Sequence, residues 1–102
     1  MKFTITRQNL HNGLAAVSAS IPSKTTLPVL SNILLETEED GVWMSGTDLV
    51  VSVRVKVPAE IAEGGSLTAP GKKLQEITRE LPDQPVEIST RSDQIELACG
   101  QI

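Results

Sequence analysis

The chain repeats itself, and the repeat limits the folds that are open to it. The segment from Phe3 to Leu10 matches the segment from Leu67 to Leu74 at a shift of 64 positions, each time as an alternating stretch that runs into helical spacing. A second match, at a shift of 53 positions, relates two alternating hairpins. It covers Ile33, Leu35, Thr37, Val42 and Met44 in the first half and Val86, Ile88, Thr90, Ile95 and Leu97 in the second. Because each half is too small to bury its own helix, the two units must share one core.

Each half of the chain predicts the same order of elements. The first unit is predicted to contain a strand at 2–6, a helix from Arg7 that Pro22 ends, a hairpin formed by 32–39 and 42–46 around Asp40-Gly41, and a long strand at 49–57. The second is predicted to contain a strand at 66–69, a helix that Pro70 begins and Pro82 stops, and a hairpin formed by 86–90 and 95–99. The segment between Pro58 and Gly64-Gly65 is interpreted as a connection.

Two apolar stripes show how the predicted helices meet the sheet. They are Leu10, Leu14, Val17 and Ile21 in the first helix and Leu74, Ile77 and Leu81 in the second. Gly13 weakens the first helix by about 1 kcal/mol relative to alanine. We therefore predict an α+β fold, an internally duplicated β-α-β-β-β unit with two helices on one face of a mainly antiparallel sheet.

The repeat also predicts a further strand after the second hairpin. At the shift of 53, the counterpart of the strand at 49–57 would begin near Ile102, where the sequence stops. The chain is therefore interpreted as one domain, 1–102, truncated before its final strand. The hairpin strand from Gln94 to Cys99 would then be an open sheet edge, and such edges recruit another chain. We expect the isolated chain to self-associate.

Few side chains could carry catalysis. His11 is the only histidine and is predicted to lie on the solvated side of its helix, while the lone Cys99 is interpreted as a small buried apolar residue. Gly64-Gly65 precedes a strand and so does not predict a phosphate loop. The acidic group from Glu36 to Asp40 is interpreted as a solvated turn. These observations favour a protein that is not an enzyme and uses no metal or cofactor.

The location of the protein is predicted from two absences in the sequence. No apolar run approaches the roughly 20 residues of a membrane span, and the segment from Met1 to Arg7 resembles no signal peptide. We therefore expect no membrane contact and a place in the cytoplasm.

Charge is distributed unevenly over a chain whose net charge is -4. Residues 7–24 carry +2, residues 70–81 carry +1, and the remainder carries -7. If both helices lie on one face of the sheet, that face is positive and the strands and turns are negative. Only Phe3 and Trp43 are aromatic, which argues against a module that stacks nucleic-acid bases.

Several separated motifs resemble the N-terminal domain of the bacterial DNA sliding clamp, the beta subunit of the replicative DNA polymerase III. They are Lys2-Phe3-Thr4, the run from Thr26 to Leu35, Ser45-Gly46-Thr47-Asp48-Leu49, Pro70-Gly71-Lys72-Lys73-Leu74 and Arg79-Glu80-Leu81-Pro82, in the family's order and spacing. The resemblance runs from Met1 to about Gly100. It implies a sliding-clamp fold and a homodimeric ring of six similar domains, with helices around a hole through which double-stranded DNA passes.

The resemblance further implies a replication processivity factor, which tethers the polymerase by encircling DNA and reads no sequence. It implies DNA contacts at Lys24 and Lys72, where the family often has arginine; lysine keeps the charge but not the planar fork. It also implies a subunit interface at Lys73, Ile77 and Ile102. The pocket for the polymerase and the clamp loader lies in a part of the subunit that is absent here.

Two other classes of protein remain open at this point. One is a free-standing protein-interaction module that accepts a partner at its exposed sheet edge. The other is a small metal-independent enzyme, for which no nucleophile and base pair is visible. The residues encoded after Ile102 in the source gene would distinguish the module from the clamp.

Overall fold

The computed structural model of the chain describes residues 1–18, 32–47, 51–92 and 94–100. Lys24 and Ile102 lie outside the described residues. So do the predicted end of the first helix at Ile21 and Pro22 and the predicted start of the long strand at Leu49.

Within these ranges the chain forms eight strands and two helices. In chain order they are β1 (Lys2–Thr6), α1 (Arg7–Ser18), β2 (Asn32–Glu38), β3 (Gly41–Thr47), β4 (Ser52–Pro58), β5 (Glu60–Glu63), β6 (Ser66–Pro70), α2 (Gly71–Glu80), β7 (Pro85–Arg91) and β8 (Gln94–Cys99). The duplication is visible in these bounds. β6 and α2 begin 64 positions after β1 and α1, and β7 and β8 begin 53 positions after β2 and β3.

The strands form two antiparallel sheets that exchange their first strands. The orders are β5-β1-β7-β8 and β4-β3-β2-β6. β1 therefore pairs with the hairpin of the second unit, with Phe3 opposite Ile88, while β6 pairs with the hairpin of the first, with Leu35 opposite Leu67. The predicted α+β fold with antiparallel pairing is confirmed, and the strands divide between two sheets.

One apolar core joins both units, because alternate residues of every long strand point to the same side. Its members are Phe3, Ile5, Leu10, Leu14, Val17, Ile33, Leu35, Val42, Met44, Val57, Ala69, Leu74, Val86, Ile88 and Cys99. The predicted stripe of α1 is confirmed at its three described positions. Cys99 is buried as predicted, with its Sγ atom 3.6 Å from the carbonyl oxygens of Pro82 and Gln84.

Two predictions about the connections were wrong. The segment after Pro58 is not a simple connection, because Glu60–Glu63 forms the short edge strand β5 on β1, with Ile61 opposite Phe3. A four-residue stretch with one large apolar residue gives too short an alternation to be recognised. The turn before β3 also lies one residue earlier than expected, at Glu39-Asp40, and Gly41 is already the first residue of the strand.

Candidate nucleic-acid interface

The two helices pack side by side and are joined at both ends of α1. The Ser18 hydroxyl lies 2.9 Å from Oε1 of Gln75. At the other end, Arg7 donates from Nε to the carbonyl oxygen of Thr78 at 3.2 Å and from Nη2 to that of Arg79 at 3.3 Å. The helices thus form one layer, which is the arrangement expected from the repeat.

Arg7 has a structural role that the sequence pattern did not reveal. Its guanidinium satisfies carbonyl groups in the last turn of α2, where a helix has no internal donors and where a positive charge is favourable. Arg7 therefore keeps the positive charge counted for residues 7–24, while its guanidinium is engaged in the contact between the helices. No short-range signal identifies this contact, because its partners lie more than 70 positions away.

Replacing Arg7 should weaken the contact between the two helices. We expect Arg7→Ala to lower the free energy of unfolding by about 1.5 kcal/mol, since charge-assisted hydrogen bonds contribute roughly that amount. Urea unfolding followed by circular dichroism would measure it. Gln8→Ala is the matched control, because Gln8 is exposed and bonds only to Asn12 of its own helix, at 3.1 Å. Equal losses in the two variants would contradict the bridging role.

The amino-terminal end of α2 concentrates positive charge. Lys72 and Lys73 are exposed in its first turn, which contains no acidic residue, and Pro70 provides no side-chain hydrogen bond as N-cap. Helix dipoles place partial positive charge at this end, so two lysines here oppose local helix stability. No described ion pair involves either lysine; the ion pairs among the described residues all join strand or hairpin residues. This end of α2 is therefore suited to attracting an anion.

The exposed side of α1 is neutral and polar. Gln8 and Asn12 point to solvent and bond to one another.

His11 is half-buried, so the prediction that it is solvated was wrong. It lies four positions from Arg7 and seven from Ser18, on the helix side that meets α2. Its Nδ1 atom is buried and has no hydrogen-bond partner among the described residues.

Lys73 and Ile77 share one exposed side of α2, four positions apart. Ile77 is 36% exposed, so its place in the predicted buried stripe was wrong. The helix instead buries Gly71, Leu74 and Thr78. Thr78 can be buried because its hydroxyl donates to the carbonyl oxygen of Leu74 at 2.7 Å.

The structure brings together three of the five predicted site residues. Lys72, Lys73 and Ile77 lie on α2, whereas Lys24 and Ile102 lie outside the described residues. Across 1–18, 32–47, 51–92 and 94–100, no group of three or more acidic, histidine or cysteine residues is placed to hold a metal ion. Neither described helix is long and apolar enough to cross a membrane.

Comparisons with known proteins agree with this architecture. The family model for the DNA polymerase III beta subunit, N-terminal domain, matches residues 1–101. The chain is 40% identical to the beta sliding clamp of Streptomyces coelicolor, over 98% of the chain and 27% of that protein. It is 39% identical to the beta sliding clamp of Vibrio cholerae, over 99% of the chain and 28% of that protein.

Solved structures give the same result. The Caulobacter crescentus pol III beta structure matches with a TM-score of 0.96 and 37% identity, over all of the chain and 28% of that structure. The Pseudomonas aeruginosa DNA polymerase III subunit beta matches with a TM-score of 0.93 and 36% identity, over the same shares. The chain thus spans little more than a quarter of these relatives. With its exchanged sheets, paired helices and matched residues 1–101, the chain belongs to the family of the bacterial DNA polymerase III beta subunit, the beta sliding clamp.

Proposed function

We propose that this chain is the N-terminal domain of a ring-shaped sliding clamp that encircles duplex DNA and acts as a processivity factor in replication. The single observation that carries the proposal is the first turn of α2, where two exposed lysines stand without acidic partners at the positive end of a helix. Such a turn attracts phosphates without reading bases. The family match supports the clamp over a free-standing interaction module.

The charge distribution supports weak contact with DNA. The chain as a whole carries -4, and the described ion pairs lie on the sheets rather than on the helices. A ring that holds DNA by topology needs no strong attraction, and a negative exterior discourages binding on the outside. Lys24 and Lys72 are the proposed phosphate contacts, and their lysine ammonium groups act as point charges.

The remaining partners are also proposals. Lys73 and Ile77, with Ile102, would contact a second subunit in a homodimer. β8 supports this assignment, because it ends its sheet on the side away from β7 and its Ile95 and Leu97 are half-buried. The replicative polymerase and the clamp loader would bind parts of the subunit outside this chain. The domain would act without catalysis of its own and in the cytoplasm.

The experiment is a salt titration of DNA binding by a full-length clamp that contains this domain. Lys24→Ala combined with Lys72→Ala should weaken binding about equally for all duplex sequences, by roughly tenfold at low salt. The slope of log affinity on log salt should be flatter by about 0.9 for each phosphate contact that the substitutions remove. Lys2→Ala is the control, since Lys2 lies on the outer side of β1 and pairs with Glu87 at 3.6 Å. Unchanged affinity and slope in the double variant would refute both contacts.

A further inference from the structure

A small cavity lies on the outer face of the second sheet, β4-β3-β2-β6, and no residue of the two described helices lines it. The strand register places Thr68, Leu34, Ser45 and Arg54 in one row across β6, β2, β3 and β4. These residues line a cavity of about 350 Å³, with Asn32 beside them. That volume is at the lower end of the range that small-molecule sites occupy.

Arg54, which lines this cavity, stacks its guanidinium on the only tryptophan of the chain. Its guanidinium carbon lies 3.8 Å from the centroid of the Trp43 ring. The indole of Trp43 is itself held, because its Nε1 donates to Glu38. A guanidinium stacked on a ring keeps its N–H groups available around its edge, in the plane that matches a carboxylate.

The neighbouring cation, Lys56, already forms ion pairs with carboxylates, whereas Arg54 forms none within the part of the chain that the structure describes. Lys56 lies 2.8 Å from Asp40 and 3.7 Å from Glu38. The hydrogen bond with Asp40 raises the pKa of Lys56, and the same contact lowers the pKa of Asp40. No ion pair of Arg54 occurs among the described residues. In a chain of net charge -4, an oriented guanidinium without a carboxylate is an available anion receptor.

We propose that this cavity binds a small aliphatic carboxylate, with the carboxylate on the Arg54 guanidinium and the alkyl chain over Leu34. The hydroxyl of Ser45, which is the cross-strand partner of Arg54, can donate to the second oxygen, while Thr68 lies beyond Leu34 at the other end of the cavity. One guanidinium suits a monovalent planar carboxylate, whereas sites for phosphate gather several cations or backbone N–H groups.

Trp43 provides the readout, because it is the sole tryptophan. Hexanoate, titrated at constant ionic strength, should change Trp43 fluorescence saturably in the millimolar range, while the neutral isostere hexanamide should not. Arg54→Gln should weaken hexanoate binding by about tenfold, since it removes a charge-assisted contact. The hexanoate affinity of Arg54→Lys should lie between those of the parent and Arg54→Gln, because lysine keeps the positive charge but lacks the planar pair of N–H donors. Amide chemical shifts of Ser45 and Thr68 provide a second readout that does not depend on the changed stacking.

The matched control is Arg91→Gln, which removes an arginine whose side chain is 82% exposed at the hairpin of the other sheet. Its affinity for hexanoate should equal that of the parent. Equal responses to hexanoate and hexanamide, or equal affinities in the Arg54 and Arg91 variants, would overturn the proposal. So would binding of an acidic peptide, N-acetyl-Leu-Glu-amide, in the absence of hexanoate binding, because the occupant would then be a protein partner.

Discussion

Gly13→Leu is expected to lower the free energy of unfolding by about 3 kcal/mol, because overpacking at close contacts costs that order of energy. A β-carbon at Gly13 would lie 2.7 Å from Sδ of Met44 and 3.2 Å from Cγ1 of Val57. α1 approaches β3 and β4 so closely that any side chain at position 13 requires Met44 to move, and a large one has no room. The glycine that weakens the isolated helix is therefore what allows the helix to reach the core.

Urea unfolding followed by Trp43 fluorescence would measure this loss. Ala15→Leu is the control, because Ala15 is exposed on the same helix and the change there should stay within about 0.5 kcal/mol. Gly13→Ala should cost far less than Gly13→Leu, since the Met44 thioether can move and alanine favours the helix by about 1 kcal/mol. Met44→Ala should rescue part of the Gly13→Leu loss. Equal losses at positions 13 and 15 would contradict the close-approach argument.

Gly41→Ala is expected to cost about 2 kcal/mol and to lower the melting temperature by roughly 10 °C. A β-carbon at Gly41 would lie 2.6 Å from the backbone carbonyl oxygen of Val57. Backbone cannot rotate away as a side chain can, so β3 and β4 would have to separate where Gly41 faces Pro58. Thermal unfolding by circular dichroism is the measurement.

Gly64→Ala is the matched control for this substitution. A β-carbon there would have only Thr37 Oγ1 nearby, at 3.4 Å, which is an ordinary contact. We expect its melting temperature to change by no more than a few degrees. If Gly41→Ala had the same melting temperature as Gly64→Ala, β3 and β4 would be able to separate at little cost.

The duplicated order of strands and helices could be predicted from the sequence because it depends on local residue patterns. Alternation predicts both hairpins, and helical spacing predicts α1 and α2, since each pattern depends on which side of a short element is buried. The contacts that sequence reasoning missed depend on residues far apart in the chain. Arg7 meets the end of α2, and β5 exists because β1 offers it an edge.

The helix α2 shows why side-chain type alone misplaced one residue of the candidate site. Hydropathy assigns Ile77 to the core and Thr78 to the surface, and the structure has the reverse. A threonine whose hydroxyl is satisfied by its own helix can be buried at little cost. Lys72 and Lys73 are exposed in the first turn of α2, as charged side chains almost always are.

The exchange of first strands between the two units has a consequence for biosynthesis. β1 emerges from the ribosome well before its neighbour β7, because the two strands begin at Lys2 and Pro85. The amino group of Met1 likewise donates to Thr90, 89 positions along the chain. At ordinary translation rates β1 waits on the order of ten seconds for that partner. Closing so long a loop is also slow once both strands have emerged. Nascent chains of this domain should therefore expose Phe3 and Ile5 until the second hairpin emerges, which makes them natural clients of ribosome-associated chaperones.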